Sequence, residues 1–131
     1  MPLLVAGSLA LLGTAIHGVV GEFLVVRRLS PRMLPSSRFG GPGMTMAMIR
    51  ASWHLTTIGF LTVGTTLIVA GSVVHGETAR AIAFVAAGAS SGFAAVVLGG
   101  ALAQARPSVF LHPAPALLTA TAALAWWGVA S

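Results

Sequence analysis

Cysteine, lysine and aspartate are missing from this chain, and acid is nearly missing: Glu22 and Glu77 are its two side-chain carboxylates. Without thiols there are no disulfides, thiolate metal sites, c-type haem attachment points or cysteine nucleophiles, and the redox compartment leaves no mark. With so few carboxylates nothing resembles a paired-carboxylate enzyme, and no hydrolase elbow or phosphate loop is present. The same scarcity argues against most acid–base enzymology. Charge of any kind is rare. Only 7% of the 131 residues are charged and 56% are hydrophobic, whereas soluble domains carry about 25% charged residues. A water-facing surface cannot be assembled from that composition, so the bilayer is expected to be the solvent.

The charge that is present is arginine, and Arg27, Arg28, Arg32 and Arg38 fall in one connector. That clustering reads as membrane topology, since basic loops stay on the cytoplasmic side, and not as a nucleic-acid surface. Apolar runs flank the connector. Helices are expected over about 3–26, 45–71, 79–104 and 114–130, each near the roughly 20 residues that a spanning helix needs. The first run lacks a basic n-region and a small-residue cleavage site, so it is read as a span and not as a signal peptide. The connector, 27–44, is rich in Pro, Gly and Ser and has no apolar period, which marks a loop. The expected fold is an all-α, integral membrane four-helix bundle, up-down-up-down, forming a single transmembrane domain over 1–131. The expected location is the bacterial inner membrane, with both termini outside and the connector cytoplasmic.

Helical phase adds detail. On the first helix Ala10, Gly13, Thr14, His17, Gly18, Gly21 and Glu22 share a small, polar half, which should meet other helices. Leu12, Ala15, Ile16, Val19, Val20 and Phe23 share the half that should face lipid. On the third helix Gly88-x-x-x-Gly92 is a helix-packing signal. Near the outer end of the fourth helix Trp126-Trp127 fits an aromatic anchor.

The candidate site is Arg50-Ala51-Ser52-Trp53-His54 on the second helix with His17 and Glu22 on the first, because ionisable residues are costly in hydrocarbon and mark function or partners. At 1.5 Å per residue, Glu22 and Arg50 each sit about 7 Å from the inner helix ends, and His17 and His54 about 14 Å. Adjacent antiparallel helices would then set the acid opposite the cation and one imidazole opposite the other. Trp53 would fill the bundle or wall the site, and His112, entering from the same side, could roof it.

Three chemistries suit these residues. Imidazole and carboxylate side by side can bind a small ligand or exchange protons. His17 and His54 could instead ligate haem or a divalent metal, as two facing histidines allow. Against a compact metal site, His17 and Glu22 are about 140° apart on a regular helix. The third possibility is an accessory subunit docking through Gly88 and Gly92, and a homo-oligomer fits either remaining reading. A purely structural ion pair between Glu22 and Arg50 and an interhelical hydrogen bond between the histidines are the plainer alternatives.

His17-x4-Glu22 followed by Arg50-x2-Trp53-His54 resembles an uncharacterised family of small bacterial four-helix membrane proteins. The resemblance covers the first two helices and implies the architecture; it implies no activity.

Overall fold

The computed structural model describes residues 1–104 and 112–131. Among these the chain is helical: α1 (Pro2–Ala15), a wide π turn (Ile16–Val20), α2 (Gly21–Leu24), two 3₁₀ turns (Val26–Arg28 and Pro31–Met33), α3 (Pro42–Ser72), α4 (Gly76–Gln104) and α5 (Pro113–Ala130). α1, the π turn and α2 run on as one rod, so the described chain has four long helical segments. Three of them, Pro2–Arg28, Pro42–Ser72 and Gly76–Ala103, are long and apolar enough to cross a membrane.

The helix starts follow from local chemistry. Pro2, Pro42 and Pro113 each occupy a first-turn position, where the missing N–H has no intrahelical partner to lose. α3 therefore begins three residues before the expected Thr45, while the connection from α3 to α4 shrinks to Val73–His75. The basic connector is more ordered than a bare loop. Ser30 accepts from the Arg32 N–H at 3.2 Å, Ser37 and Gly40 bond each other's backbone, and the Thr45 hydroxyl donates to the Pro35 carbonyl at 2.9 Å, tying the connector to α3. The inner turn expected at Arg106–Pro107 lies outside the described residues.

α1 packs against α3 and α5, and α4 against the same two helices. Their interior is made of small side chains. Ala6, Ala87 and Ala125 are fully buried around Leu67, with Ala10, Ala86 and Val63 close by. The large apolar residues point outward instead: Val19 is 58% exposed, Val85 71% and Val96 75%. On the first rod Leu12, Ala15, Ile16, Val19, Val20 and Phe23 are all exposed, so the expected outward half is the outward half.

Close approach replaces bulk in holding the helices together. A Cβ on Gly64 would lie 2.9 Å from Leu11 and 3.1 Å from the Gly7 carbonyl oxygen, and one on Gly7 would lie 2.9 Å from the Gly64 carbonyl oxygen. The backbones of α1 and α3 thus touch where both residues lack side chains. Gly88 and Gly92 do not serve this purpose within the chain. Both are exposed on α4, and an added Cβ at either meets nothing described within 4 Å. The motif expected to pack one helix on another faces outward, because the core-facing side of α4 is taken by Ala83, Ala86, Ala87, Ser90 and Ala94.

Gly64→Leu should therefore destabilise the protein by about 1–3 kcal/mol, the usual cost of forcing atoms into a filled contact. Gly88→Leu should change the stability of the single chain by less than about 0.5 kcal/mol. Thermal unfolding in detergent, followed by circular dichroism, measures both, and equal losses would contradict this packing.

Candidate functional site

The site is built on the π turn. Within Ile16–Val20 the backbone bonds run one residue longer than in an α-helix: the Gly21 N–H reaches the Ile16 carbonyl, five residues back. By Val25 the spacing has returned to four, with its N–H on the Gly21 carbonyl at 2.9 Å. Returning from five to four passes over a carbonyl, and in a low-dielectric setting an unpaired carbonyl is expensive. The indole N–H of Trp53 donates to the His17 carbonyl at 3.2 Å. Such wide turns occur mostly as single inserts in α-helices, often at functional positions.

Two glycines admit α3 to this turn. A Cβ on Gly18 would lie 2.7 Å from the Thr57 methyl, and one on Gly21 would collide with the Trp53 ring. With both positions bare, the Trp53 ring lies parallel to the His17 imidazole, centroids 4.1 Å apart and planes 15° apart. Phe60 meets the same imidazole edge-on at 5.4 Å, and Phe93 of α4 meets Phe60 at 4.6 Å. The imidazole is thus held on two sides by aromatic rings.

Thr57 is the polar partner of the ring: its hydroxyl oxygen lies 2.9 Å from His17 Nδ1 and 3.1 Å from the Trp53 carbonyl oxygen. With the hydroxyl proton on the carbonyl, as in the other back-bonded threonines of α3, the oxygen accepts from Nδ1–H and Nε2 is the basic atom; with the proton on Nδ1 the ring carries its hydrogen on Nε2. The other threonines of α3 do less: Thr56, Thr62 and Thr65 donate to the carbonyls four residues back, as expected for hydroxyls inside an apolar helix.

Beyond the π turn, in α2, Glu22 does not pair with Arg50. Its Oε1 lies 3.5 Å from Arg27 Nε and its Oε2 3.9 Å from His54 Nε2. The reason is local. The 3₁₀ turn at Val26–Arg28 swings Arg27 back so that its guanidinium covers the Phe23 ring at 4.3 Å, and the same side chain reaches the carboxylate. Arg50 is exposed and enters no ion pair among the described residues. Glu22 Oε2 is buried without a hydrogen bond.

His17 has Thr57 and Trp53 as partners, and His54 lies against Glu22. Gly18 opposite Thr57 and Gly21 opposite Trp53 set the register, which places His54 about one turn nearer the connector than His17. His112, expected as a roof, instead caps α5: its Nδ1 accepts the Ala114 N–H at 3.2 Å. Among the described residues no three His or Glu side chains gather as a metal group. Trp126, expected as an interfacial anchor, donates from Nε1 to Ser91 Oγ at 2.9 Å and packs edge-on against Phe84.

A groove that sequence periodicity did not reveal opens beside His17. It has a volume of about 580 Å³ and runs between the connector and one stripe of α3. Phe39, Met48 and Ile49 give it an apolar lining, and Trp53 and His17 stand in its wall. Of its hydroxyls, Thr45 and Thr56 are already bonded to backbone carbonyls. The centre of the bundle is closed by comparison: between Phe60, Phe93, Leu117 and Thr121 the free space is about 10 Å³, no more than one water molecule occupies.

No family model, curated protein or solved structure matches this chain.

Thr57→Val should remove the polar partner of His17 Nδ1 and cost about 0.6–1.7 kcal/mol, the range for hydrogen bonds between membrane helices. Back-bonding of the Thr57 hydroxyl predicts, in nitrogen NMR of the labelled imidazole, hydrogen on Nδ1 in the wild type and a shift towards Nε2–H in the variant. Hydrogen on Nε2 in the wild type would contradict that back-bonding.

Proposed function

We propose that this is an integral membrane protein that binds a small, largely apolar ligand in the groove walled by His17 and Trp53. The observation that carries the reading is that groove, whose volume of about 580 Å³ falls within the 300–1,000 Å³ typical of small-molecule sites. Its polar feature is an imidazole held by the Trp53 stack and the Thr57 hydroxyl, a form of preorganisation that suits binding at a defined position.

Several features support the membrane setting. Large side chains outside and alanines inside invert the arrangement that water imposes, and exposed apolar surface on this scale is incompatible with a monomer in water. In this reading α5, about 27 Å long at 1.5 Å per residue, is the fourth span of an up-down-up-down bundle. The basic connector lies in the cytoplasm by the charge rule, and both termini face the other side. The two motifs, His17-x4-Glu22 and Arg50-x2-Trp53-His54, then become the parts that shape one binding site. Glu22, Arg27 and His54 tie the inner end of α2 to α3, and the His17–Trp53 stack forms the wall.

The test uses the neutral apolar fluorophore N-phenyl-1-naphthylamine and the full chain carrying Trp126→Phe and Trp127→Phe, so that Trp53 is the one energy donor. Titration should give saturable energy transfer, and Thr56→Phe, which fills the groove, should weaken binding by about tenfold or more, roughly 1.4 kcal/mol, with helicity unchanged. Transfer that rises without saturation and ignores Thr56→Phe would overturn the reading.

A further inference from the structure

We infer that Glu22 and His54 form a proton-binding site, in which one proton taken up through the exposed imidazole is shared with the buried Glu22 Oε2 and draws α2 onto α3. The inference goes beyond the groove and does not depend on it. It starts from an unsatisfied atom. Nearly all buried polar atoms in folded proteins are hydrogen-bonded, yet Glu22 Oε2 is buried without a hydrogen bond, the one such side-chain nitrogen or oxygen among the described residues. The group that faces it is His54 Nε2, 3.9 Å away, about 1 Å beyond the usual hydrogen-bond length. Arg27 does not fill the gap, because its Nε lies 3.5 Å from the other oxygen, Oε1.

A single proton closes that gap from either side. A carboxylate oxygen only accepts, and an imidazole with its hydrogen on Nδ1 turns a lone pair towards it from Nε2, so the two repel. With one proton added, the imidazolium donates from Nε2 to the carboxylate, or a Glu22 hydroxyl donates to Nε2. Both are microstates of one proton in one site, and a charge-assisted bond of this kind settles at about 2.7–2.9 Å. Access is asymmetric. The His54 side chain is 57% exposed and that of Glu22 23%, so protons arrive at the imidazole and are held against the sealed oxygen. A divalent cation suits the pair less well: no third His or carboxylate joins it among the described residues, and the Arg27 guanidinium stands beside the carboxylate.

Few other charges compete. The first rod brings His17, Arg27 and Arg28, α3 brings Arg50 one turn before His54, and α5 brings His112, which caps its own helix. On α4 the titratable side chains among the described residues are Glu77 and Arg80. They follow the end of α3 at Ser72, about 27 Å beyond His54 at 1.5 Å per residue. Among all of these, Arg27 alone comes within ion-pair distance of Glu22 besides His54. Uptake of the proton therefore changes the local state from one acid facing one cation to one acid held between two. The pull falls on a sensitive place. His54 directly follows Trp53, whose indole bonds the His17 carbonyl, and Glu22 directly follows Gly21, the bare position that admits the Trp53 ring.

The experiment uses the full chain with Glu77→Gln, in which Glu22 is the sole side-chain carboxylate. Carboxyl-carbon and imidazole-nitrogen labels are followed by NMR in bilayers as pH is varied. The Glu22 carboxyl carbon and His54 Nε2 should respond in one shared step, and the protonated form should show a hydrogen in contact with both. His54→Gln should move the Glu22 midpoint by about one pH unit or more, the size of coupling that marks interacting sites, whereas His75→Gln at the far turn should leave it in place. A Glu22 midpoint untouched by His54→Gln, or a protonated form without the shared hydrogen, would overturn the inference. Should His54→Gln disturb the fold, Glu22→Gln reads the same coupling through His54 Nε2, and an unmoved midpoint there overturns it equally.

Discussion

The hydrogen bond from the Trp53 indole to the His17 carbonyl is the contact on which the rest of the site depends. A wide turn interrupts the backbone ladder, and in an apolar interior an interruption survives only where another group answers the backbone. Trp53 supplies that group from the neighbouring helix. Because its ring must come close to do so, Gly18 and Gly21 have to be bare, and because it comes close, the imidazole is stacked and the Thr57 hydroxyl falls within reach of Nδ1. One residue inserted into one turn thus sets the helix contact, the stacking of the imidazole and the wall of the groove.

The same economy governs the whole bundle. An alanine core offers little area to bury, so the helices are held by backbone proximity at Gly7 and Gly64 and by a few directed hydrogen bonds, each worth about 0.6 kcal/mol on average between membrane helices. Between Phe60, Phe93, Leu117 and Thr121 the free space is about 10 Å³, whereas at the flank the ordered connector stands off α3 and leaves about 580 Å³. The place for a ligand is a consequence of how tightly everything else packs.

Much of this was legible in the sequence. Composition predicts helices apolar enough to cross a bilayer, and three such helices are present; the helices lie close to where the apolar runs put them. The small-residue half of the first helix faces inward and the bulky half outward, because phase on a regular helix is readable from residue type alone. The failures have physical causes. A π turn has no distinctive composition, so regular helical phase does not foresee the wide turn at Ile16–Val20 between His17 and Glu22. Depth arithmetic assumed a uniform rise and an α3 that begins at Thr45; starting at Pro42, with one residue absorbed in the turn, slid Arg50 away from Glu22. Arg27 then took the carboxylate through a 3₁₀ turn that no periodicity announces. For Gly88-x-x-x-Gly92, spacing shows that two glycines share a face of α4 without showing that it is the exposed one. The groove depends on how the connector folds back, which only Ser37–Gly40 and Thr45–Pro35 contacts determine.

The central claim is the wide turn itself, and scalar coupling across backbone hydrogen bonds, measured by NMR on the labelled protein, tests it directly. The account predicts a coupling between the Gly21 amide nitrogen and the Ile16 carbonyl carbon, five residues apart, and its weakening when Trp53→Phe removes the indole donor. A coupling from Gly21 to His17, four residues apart, would mean that the helix is regular there and would contradict it.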